Sequence, residues 1–222
     1  MQGFEALATT SLGMANALGR VDGEGSVSRA ELLENCRVIA EATDLPVNAD
    51  LENGYADDPQ QAATILRDAA EIGVVGGSIE DWSGKHIYDF SHAVERVAAG
   101  VEMARSLPVP FTFVARAENL IRGRPDLDDT IKRLQAFEKA GADVLYAPGL
   151  RDLETMRTVV QAIGKPFERG NERRRSRSWR RGDGGGRRQA AERWRSVVAA
   201  GASRLHEGRP RDEAARRLYL GS

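Results

Sequence analysis

The feature that most constrains this chain is the regular alternation, over residues 4–167, of short apolar runs with stretches of helical periodicity. The runs at 4–9, 45–52, 74–81, 111–116 and 143–147 are too short for helices and too apolar for half-exposed strands. Each therefore reads as a strand covered on both faces. Between them, Ser28 is placed to cap a helix over 29–43. Glu31 completes a capping box there, and Leu32, Leu33, Cys36, Ile39 and Ala40 share one face. Asp58 caps a second helix with Pro59 at its first position, and Ala62, Ala63, Leu66, Ala69 and Ala70 carry it to Gly73. Helices over 91–106, 128–140 and 153–163 follow, with Gly141 stopping the second of these.

Five strands and five helices in strict alternation predict a parallel sheet covered by helices. A doubly wound sheet would carry a glycine fingerprint leaving its first strand, but Gly73, Gly76 and Gly77 enter a strand instead. A (β/α)8 barrel explains more. The pairs Thr10 and Ser11, Asp50 and Glu52, Glu80 and Asp81, and Arg116 and Glu118 each fall at the carboxyl end of a separate strand, where a barrel gathers its chemistry. The expected fold is therefore α/β, a TIM-type (β/α)8 barrel. Residues 10–13 are expected to form a polar turn, followed by a loop through Gly19, Asp22, Gly23 and Gly25.

Charge divides the chain. Residues 1–167 carry 16 basic and 26 acidic side chains, whereas 168–222 carry 16 basic, all Arg, and 7 acidic, so the net charge of -1 conceals about -10 and +9. The expected organisation is a partial barrel over 1–167 and an Arg/Gly-rich tail over 168–222. The start lacks a basic, apolar leader and no apolar run reaches membrane-spanning length, so a cytoplasmic location is expected. The one cysteine, Cys36, lies in a helical pattern and reads as a packing residue.

Alternate residues of a strand share a face, so Asp50 and Glu52, just before the Asn53-Gly54 turn, are expected to project together as a divalent-cation site. Carboxylates beside a turn are equally often only solvated. Three carboxylates from two strand ends, with a fourth at Asp22, suit Mg2+, which takes oxygen ligands and keeps several waters. Arg116 offers a planar fork for a carboxylate or phosphonate, and reads equally as a salt bridge to Glu118 or Glu80.

Four motifs, T-S-L-G-M-A-N-A-L-G-R-V-D at 10–22, N-A-D-L-E-N-G-Y at 48–55, G-G-S-I-E-D at 76–81 and V-A-R-A-E at 114–118, occur in one order and spacing. Together they resemble the isocitrate lyase and phosphoenolpyruvate mutase superfamily, over about residues 3–167, and its mutase-like, phosphonomutase-type branch best. The resemblance implies a (β/α)8 barrel, homo-oligomeric in its intact form, with Mg2+ (Mn2+ as the alternative) under an enolpyruvate-like 2-oxo acid or phosphonate. It implies Asp50 as direct metal ligand, with Glu52, Glu80 and Asp22 holding metal-bound waters. Thr10, Ser11 and Leu12 would meet the substrate carboxylate, partly through backbone N–H groups. Arg116, with Glu118 beside it, would bind the other anionic end. The implied chemistry makes or breaks a C–C or P–C bond at C3 of pyruvate through an enolate.

Lyases of this family carry a Lys-x-Cys-Gly-His segment after the Glu-Asp strand. Here residues 81–88 are short and lack Cys, which counts against isocitrate or methylisocitrate cleavage. Lys85 is the nearest match to the mutase lid lysine, one residue short, and reads also as a solvated loop lysine. His86 reads as a loop residue rather than a base.

Measured against that family the barrel is incomplete: a first strand and helix are missing before Gly3, and after Phe167 an apolar seventh strand is expected where the chain is Glu- and Arg-rich. A shifted reading frame accounts for this. With codons chosen for it, residues 168–176 read one base later as N-V-V-M-S-A-A-D, a strand and loop. In the same phase, residues 204–222 read as A-F-T-K-A-A-R-E-M-K-R-Q-E-G-F-T-L-A, a helix. The alternative is that residues 173–188 form a genuine arginine-rich tail binding nucleic acid without sequence preference, with Trp179 available for stacking.

Overall fold

The computed structural model describes residues 6–22 and 25–168. The arginine-rich tail, its nucleic-acid and reading-frame readings beyond Glu168, and the first residues of the expected opening strand lie outside the described residues.

Six parallel strands pair in sequence order: β1 (Leu7–Ala8), β2 (Val47–Asp50), β3 (Gly76–Glu80), β4 (Thr112–Arg116), β5 (Val144–Tyr146) and β6 (Phe167–Glu168). Helices α1 (Ser11–Ala17), α2 (Arg29–Glu41), α3 (Pro59–Glu71), α4 (Phe90–Ser106), α5 (Leu127–Ala140) and α6 (Leu153–Ala162) alternate with them. The sheet curls as a half-barrel, the coarse form of the expected fold. In parallel strands linked by crossover helices, both faces are covered, and β3 is accordingly buried at all five positions.

The helix starts follow from local chemistry. The Ser28 hydroxyl accepts the Glu31 amide while the Glu31 carboxylate takes the Ser28 N–H, the reciprocal capping box. The Asp58 carboxylate caps α3 at Gln61, ahead of Pro59 at the first helical position. Gly141 ends α5 in the left-handed conformation, φ 107°.

Register assigns the faces. Ala115 and Leu145 pair across β4 and β5 on the face that Phe113 shares, and Gly77 opposite Phe113 continues that face onto β3. This face meets the helices: a Cβ on Gly100 of α4 would stand 2.6 Å from the Phe113 ring, and one on Gly77 would stand 2.5 Å from Leu51. Glycine is what lets α4 lie directly on β4. Leu66, Phe113, Leu134, Phe137 and Leu145, all wholly buried, form the centre of this core.

Two local expectations fail. Residues 11–17 form α1, not a turn. The Ser11 N–H and Oγ both reach the Asp50 carboxylate, 3.1 Å away, and this long-range anchor organises a stretch with weak helical character of its own. The strand expected through Glu52 stops at Asp50. Oδ1 of Asp50 accepts the Glu52 N–H (3.3 Å), Oδ1 of Asn53 accepts the Tyr55 N–H, and Glu52 itself has φ 49°, so the chain turns in an Asx geometry. Asp50 and Glu52 are therefore not alternate residues of one strand. A sixth strand, Phe167–Glu168, adds to the five expected.

Candidate active site

Across the carboxyl ends of four adjacent strands, Glu80, Arg116, Tyr146 and Glu168 are consecutive register partners and share the inner face. One layer down on the same face are Asp50 and Ser78. Ladder register therefore brings residues 50 to 168 into one cluster, which no local pattern could do.

Arg116 lies at its centre. NH1 stands 3.5 Å from Asp50, NH2 stands 3.5 Å from Glu80, and Nε donates to Glu118. Burial opposes its charge, but Glu80, Glu118 and Asp50 outweigh burial and hold the guanidinium protonated, well above its ordinary pKa. Glu118 is fully buried; its second oxygen accepts from Nε of Arg122 at 3.0 Å. Arg122 also faces Glu80 at 3.9 Å and stacks on the Trp82 ring, 5.0 Å from its centroid. Asp81, next along β3, takes the Glu118 N–H (2.8 Å) and the buried Arg133 guanidinium (3.0 Å), which fixes the strand ends from below.

Burial raises two carboxylates of the cluster. Burial, then Glu118, raises the pKa of Glu80 well above the carboxylate range. Burial, with Asp50 and Asp22 adding repulsion against the Tyr55 hydroxyl, pushes Glu52 up to about 7. Among the described residues no three His, Cys, Asp or Glu side chains form a cage of direct ligands. Mg2+ does not require one, because it is held through one or two carboxylates and keeps its remaining waters. The oxygen-only donor set and the buried acids, whose pKa values are raised, fit such an ion.

The other sequence-predicted residues are placed as follows. Asp22 is half-buried and within electrostatic reach of Glu52. The Ser11 donors are spent on Asp50, while Thr10 and Leu12 are exposed. The Glu118 carboxylate is engaged by both arginines rather than open to a ligand. Lys85 is exposed on the hairpin closed by the Trp82–Ile87 bridge, and its backbone N–H binds Ser83 Oγ at 3.2 Å. His86 shares that hairpin, its Nδ1 3.0 Å from Ser83 Oγ. Arg122, Tyr146 and Glu168 join the cluster without belonging to any of the four sequence motifs. Arg122 lies four residues after Glu118, the spacing at which acid–base pairs meet on a helical turn. Tyr146 ends a strand, the same signal that picked out Arg116.

A half-barrel with a charged cluster at its carboxyl edge defines the class: an α/β barrel of enzyme type. The family profile described as phosphoenolpyruvate phosphomutase matches residues 1–171, and the chain belongs to the phosphoenolpyruvate mutase/isocitrate lyase superfamily. The 2-methylisocitrate lyase of Shewanella oneidensis is 30% identical over 175 residues, covering 74% of this chain and 58% of that protein. The chain thus spans little more than half the length of the curated relatives it matches. A provisionally named lyase/mutase from Burkholderia cenocepacia J2315 superposes with a TM-score of 0.74 at 42% identity, over 92% of this chain and 74% of that one. Oxaloacetate acetylhydrolase superposes at 0.68 with 28% identity, covering 74% and 58%, in a complex with its product oxalate. It is also solved with the inhibitor 3,3-difluorooxalacetate. A phosphonopyruvate hydrolase solved with oxalate and Mg2+ superposes at 0.67 with 20% identity, a likeness that speaks for the fold.

Proposed function

We propose that this chain carries the active site of a Mg2+-dependent lyase or mutase that makes or breaks a bond at C3 of a pyruvate-like 2-oxo acid or phosphonate. The observation that carries the reading is the convergence of Asp50, Glu80 and Glu118 on one charged guanidinium, Arg116, at the carboxyl ends of β2 to β4. Asp50 would hold the ion directly, with Glu52, Glu80 and Asp22 receiving its waters, and Mn2+ could replace Mg2+. When bound, such an ion polarises the 2-oxo group as a Lewis acid.

The chain's own groups do the rest. Arg116 takes up negative charge that develops on the substrate as the C3 bond forms or breaks, and it is already aimed by Glu118, so little reorganisation is needed. Thr10, Ser11 and Leu12 lie where the amino end of α1 meets Asp50, so a substrate carboxylate there would exchange with Asp50 for the Ser11 donors. Lys85, exposed on the hairpin after β3, is the nearest match to the family's lid lysine.

The test is turnover of phosphonopyruvate, oxaloacetate and methylisocitrate with and without Mg2+. Turnover of one of them is expected only with the ion, and Asp50→Ala should reduce it about 100-fold or more. Turnover that survives chelation, or is unchanged in that variant, would remove the metal assignment.

A further inference from the structure

Tyr146 occupies a place in the cluster that the proposed function leaves unused. It ends β5, is the register partner of Arg116 on one side and of Glu168 on the other, and so stands on the inner face in the same row as Glu80. Its ring lies under the Arg116 guanidinium, 5.1 Å from Cζ to centroid. Half-buried, it has aromatic surface in contact with the site's central cation, yet among the described residues its hydroxyl forms no hydrogen bond in the structure. Every other polar side chain in the row is engaged with, or electrostatically coupled to, Arg116 through charge.

We propose that Tyr146 is a substrate-binding and specificity residue, its hydroxyl donating a hydrogen bond to the anionic group of the substrate that Arg116 receives. The inference rests on the function proposed above. A neutral O–H is the suitable second donor at this point. A further cation would pair with Asp50, Glu118 or Glu168, whereas a phenol can face those carboxylates and still offer its proton to a substrate oxygen. Burial, reinforced by Glu168, Glu118 and Asp50 against the opposing Arg116, raises the phenol's pKa, so it keeps that proton across the neutral range. The ring fixes one face of Arg116 while Glu118 fixes its edge, so the guanidinium and the hydroxyl present a preset pair of donors. Such a pair serves a substrate with an acidic group beyond C3 and contributes little to a two-carbon acid held at the Asp50 and Ser11 end.

That difference makes the test. Calorimetric titration of the full chain with oxalate and with 3,3-difluorooxalacetate, in Mg2+, is compared between the wild type and Tyr146→Phe, which keeps the ring on Arg116 and removes only the hydroxyl. The expected result is about tenfold weaker binding of 3,3-difluorooxalacetate with oxalate binding unchanged. Equal affinities in the two proteins, or an equal loss for both ligands, would overturn the role of Tyr146 while leaving the function above standing. Failure of the wild type to bind either ligand would overturn that function and this role with it. Circular dichroism of the variant, identical to wild type if the ring alone supports the fold, separates lost donation from lost structure.

Discussion

At the scale of single residues, Glu118 is the group on which both site guanidiniums depend. It is fully buried, and each of its oxygens accepts from the Nε of a different arginine. Removing one partner of a buried ion pair costs more than the pair itself contributes, because the charges left behind keep their desolvation cost without compensation. Glu118→Ala is therefore expected to destabilise the chain by about 3–5 kcal/mol, read as a lower urea midpoint. Glu118→Gln, which keeps an acceptor for one guanidinium, should lose visibly less. Equal losses would mean that packing volume rather than charge holds this corner. The same residue shows what a sequence can convey. The motif around Arg116 and Glu118 marked a strand end, but both roles for Arg116, substrate fork and salt-bridge partner, were open. The fold shows it paired to Glu118, Glu80 and Asp50 together. Arg122 and Tyr146 went unread because neither belongs to a motif. What marks them is a contact across strands or around a turn, visible only once register is known.

At the scale of elements, local chemistry was most legible where a helix start is written in side chains. The Ser28–Glu31 box appears as read, and its energetics can be tested with acid. The hydrogen bonds from Arg20 and from the Ser28 amide and hydroxyl hold Glu31 down to about 2, against 4.5 for an ordinary glutamate. A depressed folded-state pKa contributes stability that is fully present above the unfolded value and is lost as pH falls through the folded one. Wild-type stability is therefore expected to decline between about pH 4.5 and 2 through this group, and Glu31→Gln should remove that component of the slope. Urea melts of both proteins across this window check it, and parallel curves would deny the carboxylate its role. Where an element depends on a distant partner, the sequence was silent. Helix α1 is fixed by the Ser11 donors on Asp50, and Gly13 inside it has low helix propensity, so residues 10–13 resembled a turn. Glu52 departs from the expected strand for the opposite reason: period-two alternation continues through it in the sequence, but an Asx turn ends the strand first.

At the scale of the whole molecule, the half-barrel leaves a question that the last described strand sharpens. β6 is two residues long, and its inner-face residue is Glu168, half-buried beside Tyr146. Burial raises the Glu168 carboxyl, and Asp50 adds to the shift while Arg116 opposes it. A strand that continues a barrel wall is ordinarily apolar on the side facing helices and carries few charges on its path, because every buried charge must be paired. From Glu168 onward the chain instead becomes arginine-rich without a single lysine. The family match, too, runs over residues 1–171 and no further. A one-base shift near the Phe167 codon would account for all three features: with codons chosen for it, the shifted frame begins N-V-V-M, an apolar strand with a neutral residue in place of Glu168. Resequencing the coding DNA across that codon is expected to show one extra or missing base. The corrected frame should then continue as strand, loop and helix. A confirmed frame would make the tail genuine, and deleting residues 168–222 would then test it: loss of steeply salt-dependent RNA binding would assign the tail to nucleic acid. The two outcomes bear differently on the site. A corrected frame that carries Asn at position 168, as the codons chosen above give, removes one negative charge from the row facing Arg116, and its hold on an anionic substrate is then expected to strengthen.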